Sequence, residues 1–473
     1  MPLDRSLFRR RAAVLALVMA LAPSTSGAAG MYFTDRGVRP MGRAGAFVAG
    51  ADDLGAIWYN PGGLSDAGSS LLVDFSVLRF HSRYDRELLV ADAADTLQTV
   101  RSPRVEGSSE ILPLPTLAGA YSRGRLSIAA GLYSPYLALP SYAPTVGGQP
   151  SPARYTLGSF AGSRVGLPGA WLAYRPADWL SAGLGVQALV GTLESTLTFS
   201  VSPQDRLIGA PEQPDYDAAS KVTMGTMVAP SVSGGLVLTP HPRLRIGFSG
   251  QTPTHVDTDA RITVRLPQSA VFDRASVHGD RARVTFDLPG IVRAGVEVRP
   301  TRRLRVEATW VRELWSVHDA IRATPQGITL DGLVGAPPSL ALPKIDTPRN
   351  FQDASSYRLG GEYSFEILRR AIDVRAGLGY EESAVPRAYL SLSSMDFDKT
   401  TLTVGGSVHV GDGFRLDVLY GHVLVADAYV PAADARIPRV SALAGNAPLE
   451  AVNGGHYGAD SDLVGLGMEY QFR

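Results

Sequence analysis

Residues 371–381 read Ala371-Ile372-Asp373-Val374-Arg375-Ala376-Gly377-Leu378-Gly379-Tyr380-Glu381. Ile372, Val374, Ala376, Leu378 and Tyr380 share one parity, and Asp373, Arg375, Gly377, Gly379 and Glu381 share the other. Successive side chains of a strand point to opposite faces. The segment therefore has one apolar face and one face of charge and glycine. The same alternation recurs at 180–190, 304–310 and 464–472.

A soluble antiparallel sheet with one wet face would also alternate. Three features favour a membrane barrel instead. The segments run about 10 residues, the length a tilted strand needs to cross a bilayer. Their polar faces mix full charges with glycine, as a lumen would. Short connections also alternate with long ones. Fourteen strands are expected, near 71–81, 112–122, 125–135, 165–174, 179–190, 226–238, 243–252, 282–299, 303–316, 356–365, 371–381, 400–410, 414–425 and 462–472. An even count puts both ends on the periplasmic side and the long loops outside. The fold class is thus all-β, a 14-stranded antiparallel transmembrane outer-membrane β-barrel with an N-terminal plug.

Composition narrows the function. The 473 residues carry 45 Lys+Arg against 45 Asp+Glu, so no basic surplus exists for a general nucleic-acid binder. The lysines are Lys221, Lys344 and Lys399, none in a GK[ST] context, which excludes a P-loop. Cysteine is absent, which excludes thiol catalysis, iron–sulfur clusters and disulfides. Residues 1–28 read as a secretory signal peptide. Arg5, Arg9, Arg10 and Arg11 precede an apolar run at 12–22, and Ser26-Gly27-Ala28 offers a cleavage site. The apolar run is too short for a spanning helix. Its removal takes four Arg and Asp4 and leaves a formal charge of −3.

Fourteen strands enclose a lumen too wide for their own side chains to fill. Residues 29–66, with the barrel following at 67–473, lack strand alternation and are dense in Gly and Ala, which suits a compact plug. Within them stand Met41-Gly42-Arg43-Ala44-Gly45-Ala46, Ala51-Asp52-Asp53 and Tyr59-Asn60-Pro61-Gly62-Gly63-Leu64. On these motifs the chain resembles the FadL/TodX family of outer-membrane transporters for hydrophobic compounds. Gly62 stands where that family's hatch usually has Ala.

The resemblance implies capture of a hydrophobic molecule among outer loops, an apolar pocket in the barrel, a hatch movement and sideways release through a gap at strand three. It implies plug or gating roles for Gly42, Gly45, Asp52, Asp53, Asn60, Pro61 and Gly62. It places Met31, Tyr32 and Phe33 at the substrate pocket and Gly131, Pro135 and Tyr136 at the lateral gap. Pro135 has no N–H to donate, so it suits either a break in pairing or the end of the strand. Long-chain fatty acids and aromatic or alkane hydrocarbons both belong to the family. The lumen parity offers Arg293, Glu297, Arg305, Glu307, Arg358, Glu362, Asp373, Arg375, Arg415 and Asp417, expected to neutralise one another and hold a plug; one Arg among them suits a carboxylate.

Other chemistry has little support. The eight histidines show no metal-ligand spacing, so no metal and no cofactor are expected. His409 follows the polar parity and His422 the apolar one. Asp52-Asp53 reads as readily as a cap as a metal pair. The nearest string to a nucleophile elbow, Gly247-Phe248-Ser249-Gly250, has the wrong spacing, so an enzyme is not expected and an outer-membrane hydrolase is a minor alternative. An adhesin acting through long loops such as 317–355 is the other. Trp179, Trp310 and Trp315 are expected in an aromatic girdle. Tyr470 and Phe472, followed by Arg473, resemble the terminal signal read by the barrel-assembly machinery. The expected partners are thus that machinery, a hydrophobic substrate, and the lipid and lipopolysaccharide of a Gram-negative outer membrane.

Overall fold

The computed structural model describes residues 35–108, 112–134, 141–156, 159, 162–334, 337–411, 413–441 and 449–472. Residues 1–28, expected to be a signal peptide, and Met31, Tyr32, Phe33, Pro135 and Tyr136 lie outside these. The barrel strands are β1 Ser70–Ala91, β2 Leu112–Arg123, β3 Leu126–Tyr133, β4 Arg164–Ala177, β5 Leu180–Ser200, β6 Asp217–His241 and β7 Leu244–Gln251 with its continuation Thr254–Arg265. They continue as β8 Arg281–Leu288 and Gly290–Val298, β9 Leu304–Leu314, β10 Ala354–Ile367, β11 Arg370–Glu381, β12 Lys399–Val410, β13 Phe414–Val425 and β14 Gly455–Gln471. Each pairs antiparallel with its neighbours. The barrel closes where β14 meets β1, in unbroken register from Ser70↔Gln471 to Arg86↔Gly455.

The two parities behave as their chemistry requires. In β11, Val374, Leu378 and Tyr380 are exposed on the outside, whereas Asp373 and Arg375 are buried. In β13, Leu416, Val418 and Tyr420 face out around buried Asp417. So large an exposed apolar belt is stable only in lipid. Among the described residues no helix is long and apolar enough to cross a membrane. The strands do the crossing.

The loop-side ends depart from expectation. β5 and β6 stay paired out to Ser200↔Asp217, with one irregularity between Gly191 and Leu193. The stretch 254–265, expected as loop, pairs with both β6 and β8. The single strand expected at 282–299 is divided, because Pro289 has no N–H for the ladder. Segment 317–355 is no open loop either. Its strand Ala320–Pro325 pairs with β8 and with Ile345–Pro348, so the sheet continues outward as an arm.

Two site expectations meet the wall here. Gly131 is fully paired, to Ala118 on β2 and Gly169 on β4. Beyond Tyr133, Ser134 N–H donates to Pro115 O at 3.2 Å, while β2 runs on to Leu112 and β4 to Arg164. Trp315 is not in a girdle: it is buried inside. Its odd parity matches that of Glu307 and Glu313, so the alternation itself points it inward. Trp179 and Trp310 are exposed on the outer face.

Candidate functional site

The segment before β1 forms four short turns: α1 Val38–Met41, α2 Ala56–Tyr59, a 3-10 turn Pro61–Gly63 and α3 Leu64–Ala67. Every residue from Asp35 to Ala51 is buried. Its partners lie on strands all around the barrel, so it occupies the lumen. Helices this short have no stability of their own; the inner wall holds them.

Charge does much of the holding. Arg39 reaches Asp52 (2.6 Å), Asp53 (3.0 Å) and Glu362 on β10 (2.9 Å). Asp52 meets Arg305 on β9 at 2.6 Å, and Asp53 meets Arg415 on β13 at 3.0 Å. Asp53 also accepts from Gly55 N–H at 2.8 Å, so the acidic pair is at once tether and cap. Asp35 pairs with Arg358 on β10. Glu307 on β9 accepts from three successive N–H groups, Val48 (2.6 Å), Ala49 (2.8 Å) and Gly50 (2.9 Å). Arg43, fully buried, lies 3.3 Å from the same carboxylate and 3.2 Å from Glu297.

The Asn60-Pro61-Gly62 step is a docking element. Asn60 Oδ1 accepts from Gly62 N–H at 3.0 Å, which caps the turn that Pro61 opens. Its Nδ2 donates to Val48 O (2.8 Å) and to Leu236 O on β6 (3.0 Å). Ser181 on β5 donates to Gly62 O at 2.6 Å. A Cβ at Gly183 would collide with Pro61 O, and one at Gly235 with Asn60 Oδ1. Glycine on the lumen parity is therefore room for a second backbone. Gly45 has φ +75°, and Gly42 abuts Gly405 on β12. On the far side Trp58 packs edge-on against Tyr133 of β3 (5.0 Å), and Ile57 sits over Gly131. Tyr133 donates to Gln187 at 2.5 Å.

Toward the outer end lies a partly open pocket with apolar walls. Leu193, Met224, Phe286, Leu288, Trp315 and Phe351 supply its greasy walls. Among its acids, Glu381 and, at 2.9 Å, Asp396 pair with Lys399, and Glu382 accepts from Ser355 N–H at 3.0 Å. Glu313 accepts from Trp315 Nε1 at 2.7 Å through one oxygen, while its other, buried oxygen has no partner among the described residues. Arg349 differs. Its side chain donates from Nη1 to Ser393 Oγ at 2.9 Å, while its buried Nε finds no acceptor. Among the described residues no carboxylate comes within 4 Å of it. Burial pushes this guanidinium down to about 10.

His318 closes the cavity wall between Phe351 (4.9 Å), Trp315 (5.9 Å) and Phe286 (6.3 Å), with Nδ1 2.5 Å from Asp287 O. Burial first, and the Arg349 charge second, push its imidazole down to about 4. In the unfolded chain the ordinary value is near 6.5. The unfolded state thus takes the proton first as pH falls, so this stability is complete above about 6.5 and is lost toward about 4. Its ceiling is roughly 3 kcal/mol. Protection factors for hydrogen exchange at residues 315–321, taken against the intrinsic rate at each pH, are expected to fall between pH 7 and pH 4.5. His318→Phe should flatten that dependence; an unchanged slope would refute the assignment.

The residues read from the sequence fall into place unevenly. Gly42, Gly45, Asp52, Asp53, Asn60, Pro61 and Gly62 all lie in the lumenal segment. Met31, Tyr32 and Phe33 lie outside the described residues, but the following Asp35 bonds Arg358, itself 3.7 Å from the cavity residue Glu381. Arg305, Arg358, Arg375 and Arg415 all have acidic partners. Arg349, with no carboxylate within 4 Å among the described residues, lies in the stretch taken as loop, where no parity singles it out. His409 bonds Asp373 at 2.9 Å and His422 bonds Asp462 at 2.9 Å. Ser249 donates its hydroxyl to Tyr59 O at 2.6 Å. No group of three or more metal-ligating side chains occurs among the described residues.

A family model described as outer membrane protein transport protein (OMPP1/FadL/TodX) matches residues 19–472. No curated protein matches by sequence. The fold is similar to a crystal structure of a Pseudomonas aeruginosa FadL homologue, with TM-score 0.70 and 14% identity over 95% of this chain and 100% of that one. It is also similar to the P. putida toluene transporter TodX (0.62, 16%, over 93% and 99%). The Ralstonia pickettii toluene transporter TbuX gives 0.60 and 16% over 93% and 99%. At these identities the likeness concerns the fold.

Proposed function

We propose, from the premise that this chain belongs to the OMPP1/FadL/TodX family of outer membrane transport proteins, that it carries hydrophobic small molecules inward across the outer membrane, and that its preferred substrate is an amphipathic carboxylic acid. The observation that carries the second part is Arg349, a buried guanidinium with no carboxylate within 4 Å among the described residues, on a cavity with aromatic and aliphatic walls. An acyl chain gains roughly 0.8 kcal/mol per buried CH₂ against the aromatic and aliphatic wall. A carboxylate beside Arg349 gains charge-assisted hydrogen bonds that a pure hydrocarbon cannot offer.

Transport in this reading is passive and gated. Substrate is captured from outer-leaflet lipid and lipopolysaccharide, settles in the cavity near the chain that precedes Asp35, and moves on when the lumenal segment, acting as plug, shifts. Release sideways beside β3 keeps the acyl chain out of water, so it costs little. Supporting this route, the Trp58–Tyr133 contact ties the segment to that strand, so one cannot shift without disturbing the other. Insertion falls to the barrel-assembly machinery. Nothing in this scheme calls for catalysis.

Uptake of labelled oleate and labelled toluene, by cells lacking their own transporter, separates the substrates. With purified protein, Arg349→Gln is expected to weaken oleate binding about 10-fold or more, from the loss of a charged hydrogen bond of about 1.5–3 kcal/mol. Oleyl alcohol should bind as before. Equal loss for acid and alcohol would sink the carboxylate assignment, and toluene uptake alone would turn the reading toward hydrocarbons.

A further inference from the structure

The short turns carry a charge pattern that transport does not use. Arg123 and Arg125 flank the β2–β3 turn and Arg243 sits in the β6–β7 turn. Arg302 and Arg303 sit in the β8–β9 turn, and Arg369 and Arg370 in the β10–β11 turn. All seven are exposed. Among the described residues none lies within 4 Å of a carboxylate, and the exposed acids on these turns are Asp178 and Glu366. The loop end differs in carrying exposed acids among its arginines, such as Asp92, Asp259, Asp280 and Asp427, and some pair there: Arg104 with Asp85 (2.8 Å) and Arg283 with Asp257 (2.6 Å). In a chain with zero formal charge, one rim is therefore left cationic.

The place of this rim identifies what it meets. Tyr121, Leu126, Tyr174 and Trp179 are exposed on the outer wall within a few residues of the turns. Tyr and Trp concentrate where hydrocarbon gives way to headgroups. The arginines follow immediately, at the level of lipid phosphate on the periplasmic side. Guanidinium forks match phosphate oxygens bidentately and hold their charge at any physiological pH.

We infer that the periplasmic rim is a docking surface for the phosphate headgroups of anionic phospholipid in the inner leaflet of the outer membrane. The occupant is lipid rather than a soluble acid because these cationic turns border the exposed apolar and aromatic belt of the outer wall. Each basic group near an anionic surface contributes about a fivefold preference. The ring thereby holds the barrel at a set depth and orders the lipid around its base.

The test uses the full chain in micelles containing equimolar phosphatidylglycerol and phosphatidylethanolamine, with retained lipid counted by native mass spectrometry. Wild type is expected to retain phosphatidylglycerol about fivefold or more over phosphatidylethanolamine, and raised salt should erode that preference. The variant Arg302→Gln/Arg303→Gln/Arg369→Gln/Arg370→Gln should fall toward parity. Arg274→Gln/Arg387→Gln/Arg436→Gln, which neutralises exposed loop-end arginines, should keep the wild-type ratio. Equal retention by wild type overturns the inference and leaves the rim to an acidic soluble partner. Preference that survives in the four-arginine variant, or is lost equally in the loop-end control, overturns it too. The salt titration on wild type needs no variant to fold.

Discussion

Deletion of residues 31–60 is expected to leave a folded barrel with porin-like leakage of ions and small dyes. The excised stretch carries Arg36, Arg39 and Arg43 against Asp35, Asp52 and Asp53, so its removal leaves the charge balance of the wall unchanged. The wall also keeps ion pairs of its own. Arg375 pairs with Glu362 at 2.5 Å and with Asp417 at 3.3 Å, and Arg415 pairs with Glu469 at 2.7 Å. Closure rests on the β14–β1 ladder, which the deletion does not touch. What goes is the matter filling a lumen that fourteen strands cannot fill alone. Conductance in planar bilayers is the measurement. A deletion mutant as tight as wild type would mean that the lumenal segment does not close the pore.

The second large effect is expected from Glu307→Ala. One carboxylate accepts three consecutive backbone N–H groups and faces Arg43, all of them buried. Alanine leaves three donors without their acceptor and leaves Arg43 with Glu297 as its one remaining acid. Each unsatisfied donor that water cannot reach costs about 1–3 kcal/mol, and the loss of one of Arg43's two acids adds to that. Most of that falls on the segment and little on the ladder, so the segment should loosen while the barrel stays intact. Hydrogen exchange at Ala49 and Gly50 should rise by orders of magnitude, and conductance should show intermittent opening. Glu307→Gln keeps an acceptor oxygen and should restore most of the protection. Wild-type exchange at Ala49 in the alanine variant would show that Glu307 does not hold this turn.

The legible part of the fold was the part set by local geometry. Parity along 371–381 told which residues face lipid, and it told correctly that the charges of Arg305, Glu307, Glu362 and Arg375 face inward. It even pointed Trp315 inward, against the expectation drawn from its place near a strand end. The loop-side extensions were illegible for a physical reason. Above the membrane a strand no longer needs an apolar outer face, so Thr192–Ser200 can be rich in Thr and Ser and still pair. Of the site, the Asn60-Pro61-Gly62 step was readable as a motif, but its work was not. That depends on Gly183 and Gly235, two glycines among many on the lumen parity.

By itself the sequence determined an exported chain with fourteen alternating segments, a lumen of mixed charge and a Gly/Ala-rich stretch before the first strand. These follow from side-chain direction and composition, which act between neighbours in the chain. The tertiary structure alone decided which charges meet. Glu307 and Val48 are 259 residues apart in the chain, and only closure of the barrel puts the carboxylate over that turn. The same holds for the cation left over. Arg349 is one Arg among many in the sequence. It becomes distinct because the fold buries it on the cavity wall beside Ser393, with no carboxylate within 4 Å among the described residues.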